Sequence, residues 1–162
     1  MQVQDIMTSD VSYCDPETNA AAAAELMWTR NCGALPVVGG EGRVEGIVTD
    51  RDLFIALGTN NRNAGDLRVG ALMKQEISTC APGDDLRSAL GIMAQRQVQR
   101  LPVVDETGAL KGILSIDDIV LRAEAGGLST GDVLKAIRAI WGRQIQCRAA
   151  GVPESAQQLA AA

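Results

Sequence analysis

The chain contains no histidine. Without an imidazole, Ser-His-Asp and Cys-His catalysis are excluded, and so are zinc sites built with histidine. Aromatic residues make up only 2% of the chain: Trp28, Trp141, Tyr13 and Phe54. The core must therefore be aliphatic, and the rings are too few to build stacking platforms for single-stranded nucleic acid. The four cysteines, Cys14, Cys32, Cys80 and Cys147, form no C-x-x-C and match no zinc spacing. They read as buried or idle thiols. No run of about 18 apolar residues is present, so no membrane span is expected. The opening Met1-Gln2-Val3-Gln4-Asp5 has no basic region and no apolar stretch. No signal peptide is visible, and a cytoplasmic location is expected. Lys and Arg number 15 against 20 Asp and Glu, a net charge of −5. That balance argues against binding a nucleic-acid backbone.

The chain does have enough apolar material for a core, with 46% hydrophobic residues in 162, and it has an internal repeat. Residues 3–57 align with 69–123 at a constant offset of 66, with 16 identities in 55 positions. Val3 and Met7 match Val69 and Met73. Cys14 and Pro16 match Cys80 and Pro82. Leu35-Pro36-Val37-Val38 matches Leu101-Pro102-Val103-Val104, and Gly42, Gly46, Ile47 and Asp52 match Gly108, Gly112, Ile113 and Asp118. Shared turn glycines and shared apolar positions imply a shared fold. Two units this small need to pack on each other to be stable.

Each copy reads as β-α-β-β-α. A short extended piece, Val11 to Cys14 or Ile77 to Cys80, is closed by proline. A helix follows, with Thr18 or Asp84 as its expected N-cap. Leu86, Ala89, Leu90 and Met93 give the second copy's helix an apolar stripe. The Leu-Pro-Val-Val strand then turns through glycine into a second strand, Val44 to Val48 or Leu110 to Leu114. A last helix carries Leu53 and Phe54, or Ile119 and Val120. Repeat one is expected over 1–57, a polar linker over 58–68, repeat two over 69–124, an amphipathic helix over 125–148 and a frayed tail over 149–162. Ser129 or Thr130 can cap that helix. Its apolar face is Val133, Leu134, Ile137, Ile140, Trp141 and Ile145; Lys135, Arg138, Arg143 and Arg148 form a solvated face.

The segment richest in chemistry occurs twice, as Thr49-Asp50-Arg51-Asp52 and Ser115-Ile116-Asp117-Asp118. A hydroxyl followed three residues later by an acid is a capping box, in which the acid bonds back to the cap N–H. The same atoms suit a nucleotide. A helix start favours an anion, and a carboxylate one turn in can accept from both hydroxyls of a ribose. Both readings stand on these residues.

The doubled unit, with Leu-Pro-Val-Val, a glycine turn and Gly-x-x-[Ser/Thr]-x-x-Asp, resembles a tandem cystathionine-β-synthase (CBS) domain pair, also called a Bateman module, over about residues 3–123. The resemblance implies an α+β fold in which two CBS repeats pack through their sheets into one module, with a C-terminal helix added here. It implies clefts for adenosine-containing ligands: AMP, ADP or ATP, and sometimes NAD or S-adenosylmethionine. Such modules usually form homodimers and regulate a partner protein. By the same resemblance, Asp52 and Asp118 would hold the riboses, with Thr49 and Ser115 at ribose or phosphate. Arg51 and Arg100 would be phosphate ligands, and Asp117 would repel phosphate unless Arg100 offsets it. Val11, Tyr13, Ala34 and Pro36, with Ile77, Thr79 and Pro102, would line the adenine pockets.

A non-catalytic sensor with no metal and no required cofactor is therefore expected. The alternative is a structural dimerisation module with vestigial sites. An enzyme is disfavoured because no nucleophile with an adjacent base can be named. A homodimer is expected to bury Leu53, Phe54, Ile119 and Val120; neither nucleic acid nor membrane is expected as a partner.

Overall fold

The computed structural model describes residues 1–122 and 127–146. Cys147, Arg148 and the expected tail 149–162 lie outside these residues, as do the side chains of Arg143 and Ile145. In the first copy β1 (Ala34–Val38) pairs antiparallel with β2 (Val44–Thr49), and in the second β3 (Arg100–Val104) pairs with β4 (Leu110–Ser115). Leu35 lies opposite Val48 and Leu101 opposite Leu114, so alternation buries all four. Gly42 and Gly108 sit at φ of 76° and 84° in the connecting turns. That left-handed position suits glycine, and each hairpin has a register shift beside the turn, at Val37/Val38 and at Val103/Val104.

The expected first strands are only single parallel bridges, Cys14 to Val37 and Cys80 to Val103. Pairing ends there because the chain turns at once: the Asp15 carboxylate accepts from the Glu17 and Thr18 amides. The caps also differ by one residue. Helix α1 (Ala20–Thr29) is capped by Asn19, and Asp85 caps α4 (Leu86–Arg96), while Thr18 and Asp84 close the preceding turns. Helix α2 (Asp50–Asn60) runs into the segment read as linker, which also holds a 3-10 turn, Ala64–Asp66, and the buried Leu67. Helix α3 (Val69–Leu72) follows, and the second copy ends in α5 (Ile116–Arg122).

The two cores exchange segments. Val3 and Ile6 are buried with Leu86, Met93, Leu101, Leu114 and Ile119 of the second copy. Leu67 and Val69 are buried with Met27, Leu35, Val48 and Leu53 of the first. Main-chain bridges fix both crossings. Thr8 and Ile113 exchange hydrogen bonds at 3.0 and 2.9 Å, and Lys74 and Ile47 do so at 3.0 and 3.1 Å. The hairpin turns meet at a further bridge, Arg43 to Ala109.

Helix α6 (Thr130–Gln146) covers one side of the second copy. The Ser129 hydroxyl accepts from the Asp132 amide and caps it. Val133, Ala136 and Ile140 are buried in the second core, with Ile137 and Trp141 packed against it. Leu134, placed on the apolar face by its spacing, is exposed. Leu53 and Ile119, expected at a dimer surface, are buried inside their own repeats, which leaves Phe54 and Val120 on the outside. Among the described residues no helix is long and apolar enough to cross a membrane.

Candidate functional site

The repeated hydroxyl–acid pair forms a complete capping box in each copy, and it occupies only one carboxylate oxygen. Asp118 Oδ2 accepts from the Ser115 amide at 2.8 Å and from its hydroxyl at 2.6 Å; the Ser115 hydroxyl accepts in turn from the Asp118 amide. Asp52 Oδ2 does the same with Thr49, at 3.0 and 2.7 Å. The other oxygen, Oδ1, is left over in both. The capping box thus leaves one oxygen of each carboxylate for another partner.

The surroundings of the two acids differ. Asp118 and Ser115 line a cleft of about 370 Å³ with Val11, Ala34 and Arg100. Its other charged lining groups are Asp10 and Arg30, so positive and negative groups balance. The cleft is built from both copies: the backbone around Val11 approaches β4 because the Thr8–Ile113 bridge carries the chain across. Among the described residues Asp118 Oδ1 has no hydrogen-bond partner.

The matching cleft, about 710 Å³, is lined by Ile47, Ile77, Ser78 and Pro102. Lys74, Arg96 and Arg100 outweigh Glu76 along it, so this cleft is positive. Thr49 and Asp52 do not line it. Lys74 Nζ stands 3.6 Å from Asp52 Oδ1, and the Asp52 side chain keeps 16% of its exposure against 64% for Lys74. The repeat relates Lys74 to Thr8, whose shorter side chain carries no charge. Arg100 lines both clefts, and among the described residues it makes no ion pair.

Several residues named from the sequence stand elsewhere. Tyr13 is exposed and lines a separate hollow with Val38 and Leu110. Pro36 is buried in β1, and Thr79 lines neither cleft. Arg51, the second residue of α2, is exposed and also lines neither. Its counterpart Asp117 is exposed too. Thr8, Asp10, Arg30, Lys74, Glu76 and Arg96 were not singled out. One signal was available: the charged identities between the copies are Arg30/Arg96 and Asp52/Asp118. Cys14 and Cys80 are not reactive groups. Burial pushes their thiols up to about 11 and about 12, so both are neutral near pH 7. Cys32 is half-buried and lines the Asp118 cleft.

A family model described as the CBS domain matches the chain twice, at residues 3–59 and 69–124. The CBS domain-containing protein YhcV of Bacillus subtilis is 35% identical over 135 residues, which cover 83% of this chain and 94% of that protein. Homoserine O-acetyltransferase of Methanohalophilus mahii is 34% identical over 119 residues, 74% of this chain but only 24% of that enzyme. The likeness to the enzyme therefore spans about a quarter of its length. A crystal structure of CBSX2 in complex with AMP superposes with a TM-score of 0.66 at 27% identity, covering 76% of this chain and 96% of that one. Doubled architecture, paired hydroxyl–acid motifs and two family matches along one chain agree: it belongs to the CBS domain family, as a tandem pair.

Proposed function

We propose that the protein is a non-catalytic regulatory module, cytoplasmic, that binds an adenosine-containing ligand between its two repeats and signals through a partner protein. AMP, ADP and ATP are the favoured ligands, with NAD and S-adenosylmethionine as further members of the class. The observation that carries this reading is the unpartnered Oδ1 of Asp118 beside a cleft that also holds Ser115 and Arg100. A carboxylate suits the ribose diol, and a guanidinium suits a phosphate. CBSX2, at 27% identity, has been crystallised with AMP, which supports the ligand class.

Titration calorimetry and melting curves with adenosine, AMP, ADP and ATP test the proposal. Ligand at about 100 Kd adds about 2.7 kcal/mol to the folded state. Asp118→Asn keeps an oxygen for the capping box but turns an amide toward the cleft. Its empty form is expected to melt within about 2 °C of wild type, while adenosine binds about tenfold more weakly, equivalent to about 1.4 kcal/mol. Unchanged affinity would remove Asp118 from the site. One feature favours the alternative reading of a structural association module: Trp28 and Phe54 are 88% and 78% exposed. Melting curves that stay flat across the whole ligand panel would decide for it.

A further inference from the structure

The two clefts share a plan but differ where it matters for a charged ligand. In the first copy the oxygen left over by the capping box, Asp52 Oδ1, already has a cation beside it, the Lys74 ammonium at 3.6 Å. In the second copy the corresponding position holds Thr8, and Asp118 Oδ1 is unpartnered among the described residues. Lys74 and Thr8 occupy the same main-chain setting. Each exchanges two backbone hydrogen bonds with an isoleucine of the neighbouring hairpin, Ile47 or Ile113. Their side chains are therefore presented from one backbone geometry, and the difference between the clefts at this point is the side chain alone.

We propose that Lys74 sets the ligand preference of the first cleft, making it selective for phosphorylated nucleosides over the bare nucleoside, while the Asp118 cleft accepts both more evenly. The inference rests on the adenosine-ligand reading given above. A ribose diol that takes Asp52 Oδ1 must displace the ammonium. A nucleoside offers that ammonium no new partner. A nucleotide does, because its 5′-phosphate is joined to the same ribose and lies within the sweep of a four-carbon stem. The lysine thus opposes a neutral ligand and assists an anionic one. The other charges are matched, Arg96, Arg100, Glu76 and Asp52 here against Arg30, Arg100, Asp10 and Asp118 there, so they leave the lysine as the difference.

The test is a reciprocal exchange read by calorimetry with adenosine and AMP. Asp118→Asn weakens the open cleft about tenfold, so the tighter phase of the isotherm reports the Lys74 cleft. There AMP is expected to bind at least tenfold more tightly than adenosine. Adding Lys74→Thr is expected to bring that ratio to within about threefold, by weakening AMP and strengthening adenosine together. In the Asp52→Asn background, Thr8→Lys is expected to create an AMP preference of at least fivefold in the Asp118 cleft. Both exchanged residues are exposed, and the melting temperature of each empty variant verifies folding. An AMP-to-adenosine ratio that is the same with and without Lys74, or that Thr8→Lys leaves unmoved, overturns the inference while the ligand reading stands. If neither compound binds the wild-type protein, both fall together.

Discussion

At Gly46 and Gly112 there is no room for a methyl group. A Cβ on Gly46 would lie 2.6 Å from Met73 Sδ and 2.9 Å from the Lys74 carbonyl oxygen; on Gly112 it would lie 2.8 Å from both Met7 Sδ and the Thr8 carbonyl oxygen. The methionine can rotate, but the carbonyl cannot withdraw without breaking the bridge that carries the crossing segment. Gly112→Ala is therefore expected to cost about 1–3 kcal/mol, the usual range for overpacking, and to weaken adenosine binding as the Thr8–Ile113 bridge loosens. Urea unfolding and calorimetry on the same sample check both effects. The paired glycines were visible as a repeat in the sequence. Their cause was not, since it lies in main chain about a hundred residues away for Gly112 and in the opening of the second repeat for Gly46. Lys74 is not legible in the sequence for the same reason: it meets Asp52 through that crossing.

Among the elements, the two hairpins are alike in register but differ in what holds their turns. In the β3–β4 turn, Asp105 Oδ1 accepts from the Thr107 hydroxyl at 2.6 Å and from the Thr107 and Ala109 amides; Lys111 Nζ stands 2.9 Å from Oδ2. The first hairpin has Gly39 at this point. The Thr107 hydroxyl foremost, then Lys111 and the two amides, holds the Asp105 carboxyl below the usual carboxylate range. A depressed folded-state value means that the charged form is favoured by folding. The stabilisation is present above the ordinary carboxylate value of about 4 and is lost as the pH falls through the folded value. Asp132 behaves alike, lowered first by Arg87 and then by Ser129. A plot of melting temperature against pH is expected to fall below about pH 4, and Asp105→Asn to make that fall shallower; an unchanged slope would remove the turn from the acid response. Both hairpins, the helix stripes and the capping boxes were legible because each is written within about ten residues. The caps of α1 and α4 were misplaced by one residue because Thr18-Asn19 and Asp84-Asp85 each offer two cap-competent side chains in a row. The first strands were overread because alternation alone does not reveal that a carboxylate will turn the chain after one bridge.

For the molecule as a whole, α6 breaks the likeness of the two halves. It buries Leu90 and Met93 of the second copy under Val133, Ala136 and Ile140. The corresponding surface of the first copy, around Ala24 and Met27, opens into a hollow of about 470 Å³ edged by Trp28, Phe54 and Leu57. Large rings at such exposure suit an association surface, and the homodimer expected from the sequence should bury them. Light scattering at high micromolar concentration is expected to give twice the chain mass, and Phe54→Asp to return it to one. A wild-type monomer at that concentration would rule the surface out as a self-association site.

The exchange of segments has a consequence for the order in which the molecule is made. The first core is closed by Leu67 and Val69, only a few residues beyond its own last helix, so it can be completed early. The second core needs Val3 and Ile6, which are synthesised well ahead of the Leu86 to Ile119 residues they pack on and have no partner until those have emerged. Val3 and Ile6 thus remain unmatched while the whole first copy is made, and then join across a long loop whose closure is slow. A cut in the polar stretch between the repeats leaves the front piece holding the plug of the back piece, and the back piece holding the plug of the front.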